Sequence, residues 1–183
     1  MKKILLIVPF LLTGVLLVAV MADDDEDHRS IGRSIGDVAV SKDATYIKEC
    51  GSCHFAYQPG LLPKRSWVKM MNTLDNHFKD DASLDQKTTK YITNYLVKNS
   101  SDNAMDYKRS RKITNSISVN QTPHRITKTP YFIHKHDEIP KKIIVQKEVG
   151  TLGNCIACHT AADRGIYSER AIKIPNYGRW DDD

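Results

Sequence analysis

The spelling Cys-x-x-Cys-His occurs twice in this chain, as Cys50, Cys53 and His54 in "ECGSCHFAY" and as Cys155, Cys158 and His159 in "NCIACHTAAD". The two clusters use all four cysteines of the 183-residue sequence, so no thiol remains for a disulfide framework. Only 24 residues follow His159, so whatever the second cluster holds is expected to be enclosed by chain that precedes it. Three chemistries compete for such a spelling. A zinc ribbon would use the thiolates but leave the final histidine of both clusters as a coincidence. A redox Cys-x-x-Cys pair needs a βαβ context, which neither flank offers. Covalent c-type haem attachment uses every residue: two thiols for the two vinyl groups and an adjacent imidazole for iron. The clusters therefore predict two covalently bound haem c groups, attached through Cys50, Cys53, Cys155 and Cys158, with His54 and His159 as proximal iron ligands.

The start of the chain agrees with that chemistry. "MKKILLIVPFLLTGVLLVAVMADDDEDH" has basic Lys2 and Lys3, an apolar run Ile4–Val20, and small residues at Val20 and Ala22. This is the pattern of a secretory signal peptide over residues 1–22, cut after Ala22, and it predicts a periplasmic protein. An uncleaved anchor is the competing reading, but the run is short for a span and is broken by Pro9 and Gly14. Removing two lysines and no acid lowers the formal charge from +5 to +3. Four haem propionates then bring it to about −1, so the basic pI is no argument for a nucleic-acid partner. No Gly-rich phosphate loop and no nucleophile–base arrangement occurs, and no catalytic residue is assigned: the chain does not read as an enzyme.

The remaining pattern predicts a mainly α fold, two small c-type haem-binding modules whose helices and loops wrap around the two haems. Residues 23–40 read as an acidic, flexible leader, 41–104 as an N-terminal haem domain and 105–183 as a C-terminal one. Ser41 and Asp43 open a short helix running into Cys50. After a loop set by Pro59, Gly60 and Pro63, a helix from Lys64 carries Trp67, Met70, Met71, Leu74, His77 and Phe78 at 3–4-residue spacing. Another follows, with Ser83 and Gln86 as a capping box and Leu84, Tyr91, Ile92, Tyr95 and Leu96 as its apolar face. Residues 100–122 read as a polar connection whose basic run "KRSRK" is a solvated face or a docking patch. A short helix then begins at Pro130, capped by Thr127 or Thr129 and stopped by Pro140. "KKIIVQKEVG" reads as a strand or extended stretch, and a further turn of helix follows the second cluster.

The distal ligands follow from elimination. The methionines are Met1, Met21, Met70, Met71 and Met105, and none follows His159. The second haem is therefore expected to take a histidine from upstream, with His124, His134 and His136 as donors. His134 and His136 lie about 200° apart on their helix and face different ways. For the first haem the choice is His77 against Met70, Met71 and Met105. Adjacent methionines on a core-facing helix are mostly packing, and His77 is the better ligand chemically. His28, in the leader, reads as a surface residue. Lys64, Arg65 and Arg125 are candidate propionate partners or ordinary surface residues.

Taken together, "YIKECGSCHFAYQPGLLPKRSWVKMMNTLDNHF", "RITKTPYFIHKHDEIP" and "NCIACHTAADRG" resemble the dihaem cytochrome c (DHC) family of bacterial exported proteins, from about Thr45 to Pro175. The resemblance implies two low-potential, bis-His haems in a two-domain, mainly helical electron carrier. It implies redox protein partners: a small oxygen-binding monohaem cytochrome as acceptor, often with a membrane b-type cytochrome. It also maps the family's ligand histidines to His77 in "LDNHF" and His136 in "KHDEIP", with His134 standing where the family usually has another residue. Two rival functions remain: a dihaem peroxidase-like enzyme with one open haem, and a gas-binding sensor in which one distal histidine is displaced.

Overall fold

The computed structural model describes residues 36–179, all within one compact unit that spans residues 34–183. The signal-peptide expectation, residues 23–35 of the leader with His28, and the last four residues lie outside the described residues. The fold is mainly α, as the sequence predicted. Among the described residues six short helices, α1 (Ala44–Cys50), α2 (Lys64–Met71), α3 (Gln86–Lys98), α4 (Lys108–Ser116), α5 (Pro130–His136) and α6 (Lys141–Ile144), are joined by 3-10 turns. Pairing among the described residues is confined to isolated bridges, with no strand. None of the described helices is long and apolar enough to cross a membrane.

The protein core is small and divided. Tyr46, Leu62, Trp67, Met71, Ile92 and Leu96 form one buried cluster, joining α1, α2 and α3. Val38, Leu61, Ile113 and Ile117 form the other, where α4 meets the turn Pro59–Leu61. Gly60 is required at that contact: a Cβ there would stand 2.6 Å from the Ser110 hydroxyl and 2.8 Å from a Val38 methyl. At Gly165, φ 70°, a Cβ would stand 2.2 Å from the carbonyl oxygen of Val38.

Several expectations about local structure are corrected. The helix from Lys64 ends at Met71 and does not carry His77 on its apolar stripe. Thr73 diverts it, its hydroxyl donating back to the carbonyls of Lys69 and Met70, and a 3-10 turn at Leu74–Asn76 follows. Asp85, not Ser83, caps α3, accepting from the backbone N–H of Thr88. That helix buries Ile92 and Leu96, while Tyr91 is exposed and donates to Asp43, the cap of α1.

The polar stretch 100–122 contains α4, so the basic run is helical. Its buried face is a narrow stripe of Ser110, Ile113 and the following Ile117, too thin to register as apolar periodicity. Pro140 precedes α6 instead of ending α5, so "KKII" is a helical turn and not a strand. At the end of the stretch read as solvated, Val38 is 1% exposed. Of the two caps expected for α5, Thr129 is the one used, and Pro130 opens the helix as expected.

Candidate functional site

Each cluster lies where a helix or turn runs out. Cys50 closes α1, and Gly51 to His54 are exposed beside it. Cys155 opens a 3-10 turn and is buried; Cys158 and His159 follow on the same chain reversal. None of the four cysteines is paired in a disulfide. Burial pushes the thiols of Cys50 and Cys155 up to about 11 and raises that of Cys158. Among the described residues no three of His, Cys, Asp and Glu converge as a tetrahedral zinc site needs. What converges is histidines, in pairs.

The ring centroids of His54 and His77 lie 6.2 Å apart, with the ring planes 19° from parallel. Those of His136 and His159 lie 6.1 Å apart, inclined at 67°. Two imidazoles on opposite sides of one metal, each nitrogen about 2 Å from it, place their centroids roughly 6 Å apart. At that separation His54 with His77, and His136 with His159, could each hold one iron between them. The tautomers suit the same role. The Nδ1–H of His54 donates to the carbonyl of Phe55 at 2.8 Å, and that of His136 to the carbonyl of Phe132 at 2.8 Å. A carbonyl only accepts, so the proton is on Nδ1 and each Nε2 keeps its lone pair.

Electrostatics favours the neutral form, the one that binds metal, at His77, His136 and His159. Burial lowers the pKa of His77 and His136, and burial with the neighbouring His136 and Arg109 lowers His159 to about 4. The Nδ1 of His159 is buried with no hydrogen-bond partner.

The histidines are positioned by different devices. His136 closes α5 and lies flat against Phe132 one turn earlier, 3.8 Å between centroids and 8° between planes. A Phe-x3-His spacing on a helix is a sequence signal that points to this stack. His134, two residues earlier, is exposed. His124 lies by the first pair and not the second: its Nε2 is 3.4 Å from the Thr73 hydroxyl and its ring 5.4 Å from Phe78. Met71 is packed in the core, Met70 lies against the same cluster, and Met105 is half-buried. Arg65 is engaged by the carbonyls of Ser118 and Gln121, whereas Arg125 sits 3.7 Å over the ring of Phe78.

His77 occupies a turn. It exchanges backbone hydrogen bonds with Asp80, and the two residues between, Phe78 (φ 59°) and Lys79 (φ 90°), are both left-handed. A turn of that type favours Gly and Asn. Phe78 has compensation, through Arg125 and the 4.7 Å contact with the His77 ring. Exposed Lys79 has neither contact, and a left-handed non-glycine costs about 1–2 kcal/mol. Lys79→Gly is therefore expected to stabilise the protein by about 1 kcal/mol, read as a higher urea midpoint with an unchanged visible spectrum. A lower midpoint would show that the Lys79 side chain holds the turn.

Two buried contacts that no sequence pattern signals join the clusters. Tyr57, 5.0 Å from the His54 ring, donates to the carbonyl of Gly153, 96 residues away. Gln58, fully buried, accepts from the Tyr167 hydroxyl at 2.5 Å and donates to the carbonyl of Ala162. Tyr167 in turn lies 5.2 Å from the His159 ring.

Comparison with known proteins gives the same answer. The family described as dihaem cytochrome c matches residues 46–167. The X-ray structure of a diheme cytochrome c from Shewanella baltica OS155 is 38% identical, covering 78% of this chain and all of that one, with a TM-score of 0.63. The diheme cytochrome c from Rhodobacter sphaeroides is 39% identical over 70% of this chain and 98% of that one, with a TM-score of 0.62. No curated protein matches. With two attachment clusters, two facing imidazole pairs and relatives covered end to end, this chain belongs to the dihaem cytochrome c family and carries two covalently bound c-type haems.

Proposed function

We propose that this protein is an exported, periplasmic relay that passes single electrons through two low-potential haems. In this reading His54 and His77 are the axial pair of the first, and His136 and His159 that of the second. The observation that carries the proposal is the pair of centroid separations, 6.2 and 6.1 Å, found at both clusters independently. Each bound haem supplies a one-electron Fe(III)/Fe(II) couple. The chain's part is to hold both axial positions with neutral imidazoles. Two imidazoles favour the ferric state relative to a His/Met pair, which lowers the potential. They also leave no open position, so neither peroxidase chemistry nor gas binding is expected, and the protein is a carrier and not an enzyme.

Export rests on the signal-peptide pattern of residues 1–22, cut after Ala22. The chain divides into an acidic leader (23–40), a first haem module (41–104) and a second (105–183). Its partners are redox proteins, with a small oxygen-binding monohaem cytochrome as acceptor and a membrane b-type cytochrome as donor. This part of the reading is supported by the family resemblance.

The test is a spectrum of the ferrous protein with and without carbon monoxide. Low-spin bands that carbon monoxide leaves unchanged at both haems are expected. His77→Ala should then make one haem only high-spin and ligand-binding. Carbon monoxide binding by the unmodified protein would favour the sensor or peroxidase reading. An unchanged His77→Ala spectrum would return the first distal ligand to Met70, Met71 or Met105.

A further inference from the structure

We propose that the ion pair between Arg109 and Asp37 sets the potential of the second haem, Arg109 raising it and Asp37 lowering it. The inference rests on the reading of His136 and His159 as that haem's axial pair. The two side chains retain only 13% and 16% of their exposure, with Nε 3.5 Å from Oδ1. A backbone hydrogen bond from Arg109 to the carbonyl of Asp37, 3.0 Å long, ties the two segments together as well.

The pair is built around both walls of the second site. Asp37 accepts the backbone N–H of Tyr167 at 2.6 Å, and Arg109 Nη2 donates to the Tyr167 carbonyl at 3.5 Å. The Tyr167 ring lies 5.2 Å from that of His159. On the other side Arg109 Nη1 donates to the hydroxyl of Tyr131, on the helix that ends in His136. Charges with so little solvent around them are weakly screened, so their fields reach the rings and the iron between them. A nearby cation favours the less positive, ferrous iron; an anion favours ferric. These contacts all run to residues beside His136 and His159, so the pair addresses one haem. Because its charges largely cancel while both are present, removing either one exposes the other.

The test uses the mature, haem-loaded protein and follows haem methyl resonances through a redox titration, which reports each haem separately. Arg109→Gln is expected to lower the second haem's midpoint and Asp37→Asn to raise it, with the first haem shifting by a small fraction of either change. Arg109→Lys, which keeps the charge, should stay near the parent value. The opposite signs are decisive. A purely structural pair would loosen in both variants and admit water, which favours ferric iron, and both midpoints would fall. Equal-signed shifts, no shift, or equal shifts at both haems would overturn the proposal. If the unmodified protein instead lacked a low-spin bis-imidazole signal at the second haem, the ligand reading would have failed and not the ion pair.

Discussion

Replacing His136 by alanine is expected to turn the second haem high-spin and open to carbon monoxide, while the first haem keeps its low-spin bands. His136 is held by two contacts that aim it: the flat stack on Phe132 and the Nδ1–H bond to the Phe132 carbonyl. Both hold the ring in place, its centroid 6.1 Å from that of His159. Alanine removes the imidazole, and the other histidines are poorly placed to replace it. His134 is exposed on a different face of α5, and His124 lies against Thr73 and Phe78 beside the first pair. Conversion should therefore be essentially complete, and His134→Ala should leave both haems low-spin. Phe132→Ala gives an intermediate case, keeping the ligand but losing the ring that orients it, with a high-spin fraction that grows on warming. The reverse result, in which His134→Ala opens the site and His136→Ala does not, would overturn the assignment.

Trp67→Ala should cause the largest loss of stability of any single substitution on the first-haem side, about 3–5 kcal/mol. The indole is 3% exposed and packs in the cluster with Tyr46, Leu62, Met71, Ile92 and Leu96. Its Nε1–H donates to the carbonyl of Pro59 at 2.8 Å, and truncation leaves that buried acceptor without its partner. Trp67→Phe separates the two contributions, since it keeps most of the apolar contact and loses the hydrogen bond, at about 1–2 kcal/mol. Val68→Ala, one residue on but 39% exposed, should cost less than about 1 kcal/mol. Urea unfolding of the haem-loaded protein measures all three. The cluster seats α1, which ends at Cys50, and α2, which leads to the His77 turn. On heating Trp67→Ala, the first haem's spectrum should change before the second's. Simultaneous change would show that the two sites unfold as one unit.

Much of the chemistry was legible in the sequence because it is local. Attachment of a c-type haem needs two thiols and an imidazole within five residues, so Cys50–His54 and Cys155–His159 announce the cofactor with no knowledge of the fold. The Thr129 cap, Pro130 at the start of α5 and the Asp43 cap of α1 are equally short-range and were readable for the same reason. Periodicity misled where the chain departs from a helix for reasons outside the pattern. Leu74 and His77 continue the spacing of α2, but Thr73 hydrogen-bonds back into the helix and the chain turns, placing His77 in a left-handed turn that faces His54. The stretch around α4 failed in the other direction, its buried stripe being only Ser110, Ile113 and Ile117.

The residues and the family resemblance pointed to His77 and His136, and the tertiary structure brings their rings beside those of His54 and His159. His54 meets His77 and His159 meets His136 because α1, α5 and the intervening turns are packed by a few long-range contacts. These include Tyr57 to Gly153, Gln58 to Tyr167 and Arg109 to Asp37. Such contacts join residues about 70 to 110 positions apart, and no local spacing rule carries information over that span. The residue types that bind the haems are therefore written in the chain, while the pairing, the tautomers and the buried charge beside the second site belong to the fold.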